Sequence, residues 1–315
     1  MTLFPLANKG RRMKSNSTDE WKERLIDVDN LDDPRLQPFW NLKERTLRGE
    51  SLFIAEGALV VERLLCSDYQ VESILTTRSR ISESIMSKTP TSTPVYCISE
   101  RDFMNRIVGF DFHQGILAIG RRPARFPDVL ETFERYYVDG HKGRSEDAHF
   151  ASSRKRQNRC WIVLPDATKP DNLGLVFRCA AALDAEGVIL GENCCDPLSR
   201  RALRVSMGGV LQVPITRATD LKAELEQVKK RFPVAYVATL LDSEASPLTS
   251  FFKDSFDGKT GFVFLFGNEY YGLNRQMIDL CDYKVIIPMR SDVDSLNLGA
   301  SVGIFLYEYN RWIRS

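Results

Sequence analysis

Three blocks in the C-terminal half of the chain place polar side chains at turns: KPDNLGLVFR (169–178), FLFGNEYYGL (264–273) and IIPMRSDVDSLNLGAS (286–301). In the first, Pro170 restricts the backbone ahead of Asn172, whose amide can close a turn or cap a helix starting near Leu173. Arg178 lies four residues after Gly174, so on a helix its guanidinium shares that face and can point back to the turn, where it would hold a phosphate bidentately. In the second block the apolar run GFVFLF ends in Gly267-Asn268-Glu269. A glycine there permits positive φ and bares backbone N–H and C=O groups, which an adenosine at a strand end requires. In the third, IIP closes a strand at Pro288, a charged loop follows, and Ser295-Leu296-Asn297 opens a long apolar helix that Ser295 can cap. Gly299 and Gly303 each cost that helix up to roughly 1 kcal/mol relative to Ala, so another backbone or a ligand is expected beside them. Singly, each block also has a plain reading: Asn172 as a helix cap, Arg178 as solvated, Glu269 in an ordinary turn, the last helix as merely well packed.

The elements that must position these blocks alternate strand with helix. CWIVLPD is followed by LGLVFRCAAAL, EGVILG, SRRALRVSM, VLQVPI, LKAELEQVKKRF, VAYVATL, GFVFLFG, NRQMIDLC, KVIIP and SLNLGASVGIFLYEYNRW. Short apolar runs between amphipathic helices predict an α/β fold whose parallel sheet is covered on both faces, with the blocks at the carboxyl ends of strands, where such sheets bind ligands. Within SRRALRVSM, Arg200, Arg201 and Arg204 stand at helical spacing, either as one basic stripe facing RNA phosphates or as a solvated helix face. Upstream, residues 1–30 lack apolar periodicity and read as a flexible arm, and 31–125 as a smaller α/β domain. Residues 126–158 read as a linker or inserted loop, in which a helix around Phe133 and Tyr137 precedes a long polar stretch; the second domain is 159–315.

Composition adds limits. With 43 Lys and Arg against 42 Asp and Glu, net charge +1, any nucleic-acid surface must come from local clusters. Seven cysteines without a CxxC pair, and only three histidines, lack zinc-ligand spacing, so no metal is expected and a reducing cytoplasm is the simplest setting. No apolar stretch approaches a membrane span.

In this order and spacing, the three blocks resemble the signature motifs of the SpoU/TrmH family of RNA ribose methyltransferases, part of the knotted SPOUT group, over roughly residues 160–312. The stretch 194–215, with its Ser206-Met207-Gly208 step, is similar to the family's segment between the first two motifs. The family usually has Gly where Tyr270 stands, a departure that alters the turn or adds a stacking surface. Through RGESLFIAEGALVVERLLCS and FHQGILAIGRR, residues 35–122 look like the substrate-binding domain of many members, akin to kink-turn-binding ribosomal proteins.

The resemblance implies a trefoil-knotted C-terminal methyltransferase domain that forms an obligate homodimer and holds S-adenosylmethionine, preceded by an RNA-binding domain. It implies a cofactor pocket at Thr239, Gly267, Ile287 and Leu296, and methyl transfer to a ribose 2′-oxygen. Arg178 would act there with an RNA phosphate, Asn172 and Glu269 would position the ribose or Arg178, and Ser295 and Asn297 would complete the polar wall. Structured RNA is the implied partner, ribosomal RNA ahead of tRNA. A non-catalytic RNA-binding or ribosome-assembly factor on the same fold is the alternative, separable by cofactor binding. A nucleotide-dependent oxidoreductase would need a GxGxxG after an early strand, and that motif is missing.

Overall fold

The computed structural model describes residues 20–42, 51–99, 101–137, 159–253, 261–290, 292 and 295–314. Two sheets organise them. The first holds β1 (Leu25–Asp27), β2 (Leu52–Glu56), β3 (Val71–Thr77), β4 (Val95–Ile98) and β5 (Ile116–Arg121), in the order β1-β4-β3-β5-β2. There β1, β4 and β3 run parallel, and β5 is antiparallel to both β3 and β2. Helices α1 (Ala58–Leu65), α2 (Glu83–Lys88) and α3 (Arg101–Val108) accompany it.

The second sheet holds β6 (Arg159–Leu164), β7 (Gly187–Leu190), β8 (Ile215–Arg217), β9 (Val234–Thr239), β10 (Ser246–Pro247), β11 (Gly261–Leu265) and β12 (Tyr283–Ile286). It is parallel throughout, in the order β10-β12-β9-β11-β6-β7-β8. The innermost strands are apolar along their length because helices cover both faces. In β6 the pleat divides them cleanly: Cys160, Ile162 and Leu164 join one core, Trp161 and Val163 the other. The first core lies under α5 (Pro170–Ala182), α6 (Arg200–Val205), α8 (Leu248–Phe251) and α10 (Leu298–Trp312). The second lies under α4 (Val129–Tyr137), α7 (Leu221–Arg231) and α9 (Arg275–Leu280).

Small residues set the helix spacing. A Cβ on Gly174 would lie 2.8 Å from the Val205 Cβ of α6, and one on Gly299 would lie 2.4 Å from the Leu175 Cβ of α5. The close approach expected at Gly299 is therefore made by a neighbouring helix, and Gly174 is approached in the same way.

Two expected boundaries are corrected. Residues 20–30 are not part of an arm: Leu25–Asp27 pairs with β4 as the edge strand of the first sheet, a contact that three residues cannot announce through periodicity. Nor is 126–158 wholly linker, because α4 buries Val129 and Phe133 against Trp161 and Phe232 beneath the second sheet. The polar stretch that follows α4 lies outside the described residues up to Arg159, as do residues 291, 293 and 294 of the charged loop after Pro288.

The two sheets share a core. Phe53, Ala55, Val61 and Leu64 of the first are continuous with Leu203, Val210 and Phe177 of the second. Arg122 grips Asp196 with both guanidinium nitrogens at 2.9 and 2.7 Å, and Arg63 donates to the Met207 carbonyl at 2.7 Å. Among the described residues no helix is long and apolar enough to cross a membrane, and all seven cysteines are free thiols.

Candidate active site

A cavity of about 480 Å³ opens at the carboxyl ends of β9, β11 and β12. Thr239 and Leu240 form one wall, Gly267 to Leu273 a second, and Ile287, Met289, Ser295 and Leu296 a third; Leu298 and Phe305 of α10 add apolar surface. All four residues expected at the cofactor, Thr239, Gly267, Ile287 and Leu296, line it, as do Glu269 and Ser295. Its size and mainly apolar wall with a few polar groups suit a small organic ligand.

The reason for glycine at 267 is different from the expected one. Positive φ belongs to Gly272, at +65°, while a Cβ on Gly267 would stand 2.2 Å from the Gly272 carbonyl carbon. The chain doubles back on itself there. Asn268 N–H donates to the Gly272 carbonyl at 3.1 Å, Gly272 N–H returns to Asn268 at 2.9 Å, and the Asn268 side chain accepts from Tyr270 N–H at 2.9 Å. Thr239 also works locally: its hydroxyl donates to the Leu265 carbonyl at 2.9 Å, tying β9 to the end of β11.

Helix capping orients the polar wall. Asn297, and not Ser295, caps α10, its Oδ1 accepting from Gly299 N–H at 2.9 Å. That acceptor role leaves the Asn297 amide NH₂ to donate to Asn172 Oδ1, at 2.9 Å. The Asn172 NH₂ then donates to Glu269 Oε1. The cap thus dictates the polarity of a relay through Asn297, Asn172 and Glu269, and these three motif residues, one from each block, meet in space. Glu269 Oε2 is buried and accepts no hydrogen bond among the described residues. Asn172 does not cap α5, which starts at Pro170 with Lys169 in the cap position and no side-chain cap.

Arg178 stands apart from the cavity wall. It is exposed on α5, two turns beyond the helix start, with no hydrogen bond or ion pair among the described residues. The other three arginines behave oppositely. Arg200 Nε lies 2.5 Å from the Glu56 carboxylate, Arg204 lies 3.7 Å from its second oxygen, and the Arg200 guanidinium rests on the Phe110 ring at 4.9 Å. Arg201 pairs on the surface with Asp171 at 2.6 Å, which holds that carboxyl below its ordinary range. The expected phosphate-facing stripe is therefore split: Arg200 and Arg204 face the first sheet because Glu56, its side chain only 3% exposed, needs countercharge. Burial pushes the Glu56 carboxyl up, and the two arginines pull it back down.

Three site residues escaped the sequence reading. Asp166, just past β6, receives the Asn268 amide on its backbone carbonyl at 3.0 Å and the Tyr271 hydroxyl on Oδ2 at 3.3 Å. The Asp166 charge, with minor help from burial, pushes the Tyr271 phenol up. Lys169 donates to the Tyr270 hydroxyl at 2.8 Å. The available signals were Asp at a strand end and Asn two residues ahead of a turn N–H.

Residues 159–307 match the SpoU rRNA Methylase family. An uncharacterised tRNA/rRNA methyltransferase of Mycobacterium bovis is 33% identical over 290 residues, covering 90% of this chain and 91% of the relative. A 23S rRNA (guanosine-2′-O-)-methyltransferase of Acinetobacter baylyi is 29% identical over 210 residues, 67% of this chain and 75% of its own. The AdoMet-bound rRNA methyltransferase from Sinorhizobium meliloti superposes with a TM-score of 0.69 at 26% identity, over 91% of this chain and 98% of that one. The chain belongs to the SpoU/TrmH family of RNA methyltransferases.

Proposed function

We propose that this protein transfers the methyl group of S-adenosylmethionine to a ribose 2′-oxygen of structured RNA, ribosomal RNA ahead of tRNA. The observation that carries the reading is the relay of Asn297, Asn172 and Glu269, ending in a buried carboxylate oxygen without a donor, beside a cavity of cofactor size. Buried carboxylate oxygens are normally satisfied, and a ribose hydroxyl supplies the missing donor. The 23S relative's name and the AdoMet-bound neighbour support the same chemistry.

The cavity fits the cofactor: Thr239, Gly267, Ile287 and Leu296 would hold it between strand-end loops, with Leu298 and Phe305 against its apolar parts. When bound, S-adenosylmethionine supplies an electrophilic methyl on a sulfonium. The protein's part is to make a poor nucleophile effective. Glu269 accepts from the ribose hydroxyl, and the two asparagines keep that carboxylate aimed. Arg178, with its guanidinium uncommitted, holds a backbone phosphate and stabilises the negative charge that develops on the attacking oxygen. It does not serve as the base, because a guanidinium pKa above about 12 makes deprotonation costly near neutrality. Ser295 adds a hydroxyl to the same wall.

The first sheet acts as the RNA-recognition unit, and the second domain dimerises through a trefoil knot in a cytoplasmic setting. The threading is supported by the insertion of β11 between β9 and β6, with β12 outside β9 and α10 returning to pack on α5. Mapping of 2′-O-methylation in cellular RNA with and without the protein tests the assignment. A site lost on deletion is the expected result; no methyl lost anywhere, together with no binding of S-adenosylmethionine, would point instead to an assembly factor.

A further inference from the structure

Resting on that reading, we propose that Tyr270 and Tyr271 form a stacking platform for unpaired bases of the RNA, flanking the nucleotide presented to Glu269. The two rings are 73% and 72% exposed, and both residues line the cavity. Large aromatic surface left in water on a turn is unfavourable unless something covers it.

The turn that carries them is rigidly built. Asn268 and Gly272 exchange both backbone hydrogen bonds, and the Asn268 side chain fastens the turn to the Asp166 carbonyl on one side and to Tyr270 N–H on the other. Each phenol is tethered as well. Tyr270 accepts from Lys169, whose ammonium sits 4.4 Å from its ring centroid, and Tyr271 donates to Asp166. Lys169 occupies one part of the Tyr270 ring, and most of the ring stays open to solvent. Rings fixed in this way lose little conformational entropy when a planar partner lands on them.

The chemistry of that partner follows from the neighbours. Every nucleobase offers a π-face, so stacking tolerates any sequence, and the Lys169 ammonium beside the ring suits the adjoining phosphate. Single-stranded loops, bulges and ends of structured RNA splay their bases, and a splayed base is received by stacking on an aromatic side chain. Tyr270 and Tyr271 line the same cavity as Glu269.

The experiment uses the full chain with Tyr270→Leu, Tyr271→Leu and the two Phe counterparts. Four quantities are read: the KM and kcat for methylation of in vitro transcribed ribosomal RNA, the affinity for S-adenosylmethionine, and the fluorescence quenching of a single-stranded oligoribonucleotide carrying 2-aminopurine. Each Leu variant should raise the RNA KM about tenfold and abolish most quenching, with cofactor affinity unchanged, while the Phe variants, which keep the rings and lose only the hydroxyl tethers, should stay within a few-fold of the parent in KM and retain most quenching. Leu variants that match the parent in KM and quenching overturn the platform. So does an equal loss of cofactor affinity, which would make the rings structural, or a loss confined to self-association, which would make them a protein interface. If the parent methylates no ribose yet quenches the probe through these rings, the function proposed above fails and the platform stands.

Discussion

Two glutamates close strands in this protein and meet opposite fates. Glu56, the last residue of β2, is buried with Arg200 and Arg204 around it, the closest contact 2.5 Å; Glu269, just beyond β11, has one oxygen on Asn172 and the other on nothing in the described chain. At Glu56 the nearer oxygen accepts no directed hydrogen bond, so the attraction is that of an ion pair. One carboxylate is compensated within the fold and holds the two sheets together. The other is held in place by neutral amides and left with capacity to spare. Internal countercharge marks structural work, and an aimed but incomplete hydrogen-bond set marks a place for a substrate.

The same contrast divides the arginines, and the largest expected effect lies there. Arg178→Ala should lower methyl transfer by about a hundredfold or more while S-adenosylmethionine affinity stays within a few-fold, because the uncommitted guanidinium serves RNA and the reacting oxygen. Activity equal to the parent on the same RNA would remove Arg178 from the mechanism.

Glu56→Ala should cost about 2–3 kcal/mol of stability in denaturant titration by leaving half-buried Arg200 without its partner, discounted for the solvent that Arg200 and Arg204 retain. The titration has a definite sign. Because burial raises the folded pKa of Glu56 above its ordinary 4.5, its contribution is complete below that value and is lost as pH rises through the folded pKa. The cost of Glu56→Gln relative to the parent should therefore shrink with rising pH. A cost that grows across that window would show that the arginines outweigh burial.

Glu269→Gln should spare both stability and cofactor binding yet reduce kcat by about a hundredfold, the low end for a positioned acid–base group, measured as turnover at saturating RNA. If that change unfolds the protein instead, the two glutamates are alike and the comparison collapses. The smallest effect belongs to Arg201→Ala, whose pair with Asp171 is half exposed on both sides; it should change stability by less than about 1 kcal/mol. A marked loss of RNA affinity in that variant would show that Arg201 leaves Asp171 for a phosphate.

By itself the sequence determined the α/β architecture, the order of strands and helices after Arg159 apart from β10 and α8, and six residues that line the cavity, Thr239, Gly267, Glu269, Ile287, Ser295 and Leu296. Those features rest on local information: apolar runs short enough for strands, helical periodicity, and Gly, Pro and Asn at the turns between them. The family could be read from the same turns, since its motifs are the loops that make the site. Only the tertiary structure decided what each polar group faces. Arg200 and Arg204 look like a phosphate stripe until β2 delivers Glu56 to them, and Leu25–Asp27 looks like a loose arm until β4 lends it an edge. Gly267 is required by the backbone of Gly272, and the direction of the Asn172 amide follows from a cap on α10. In each case a charge, an edge or an amide is completed by a residue far away in the chain, and spacing along one segment carries no record of that partner.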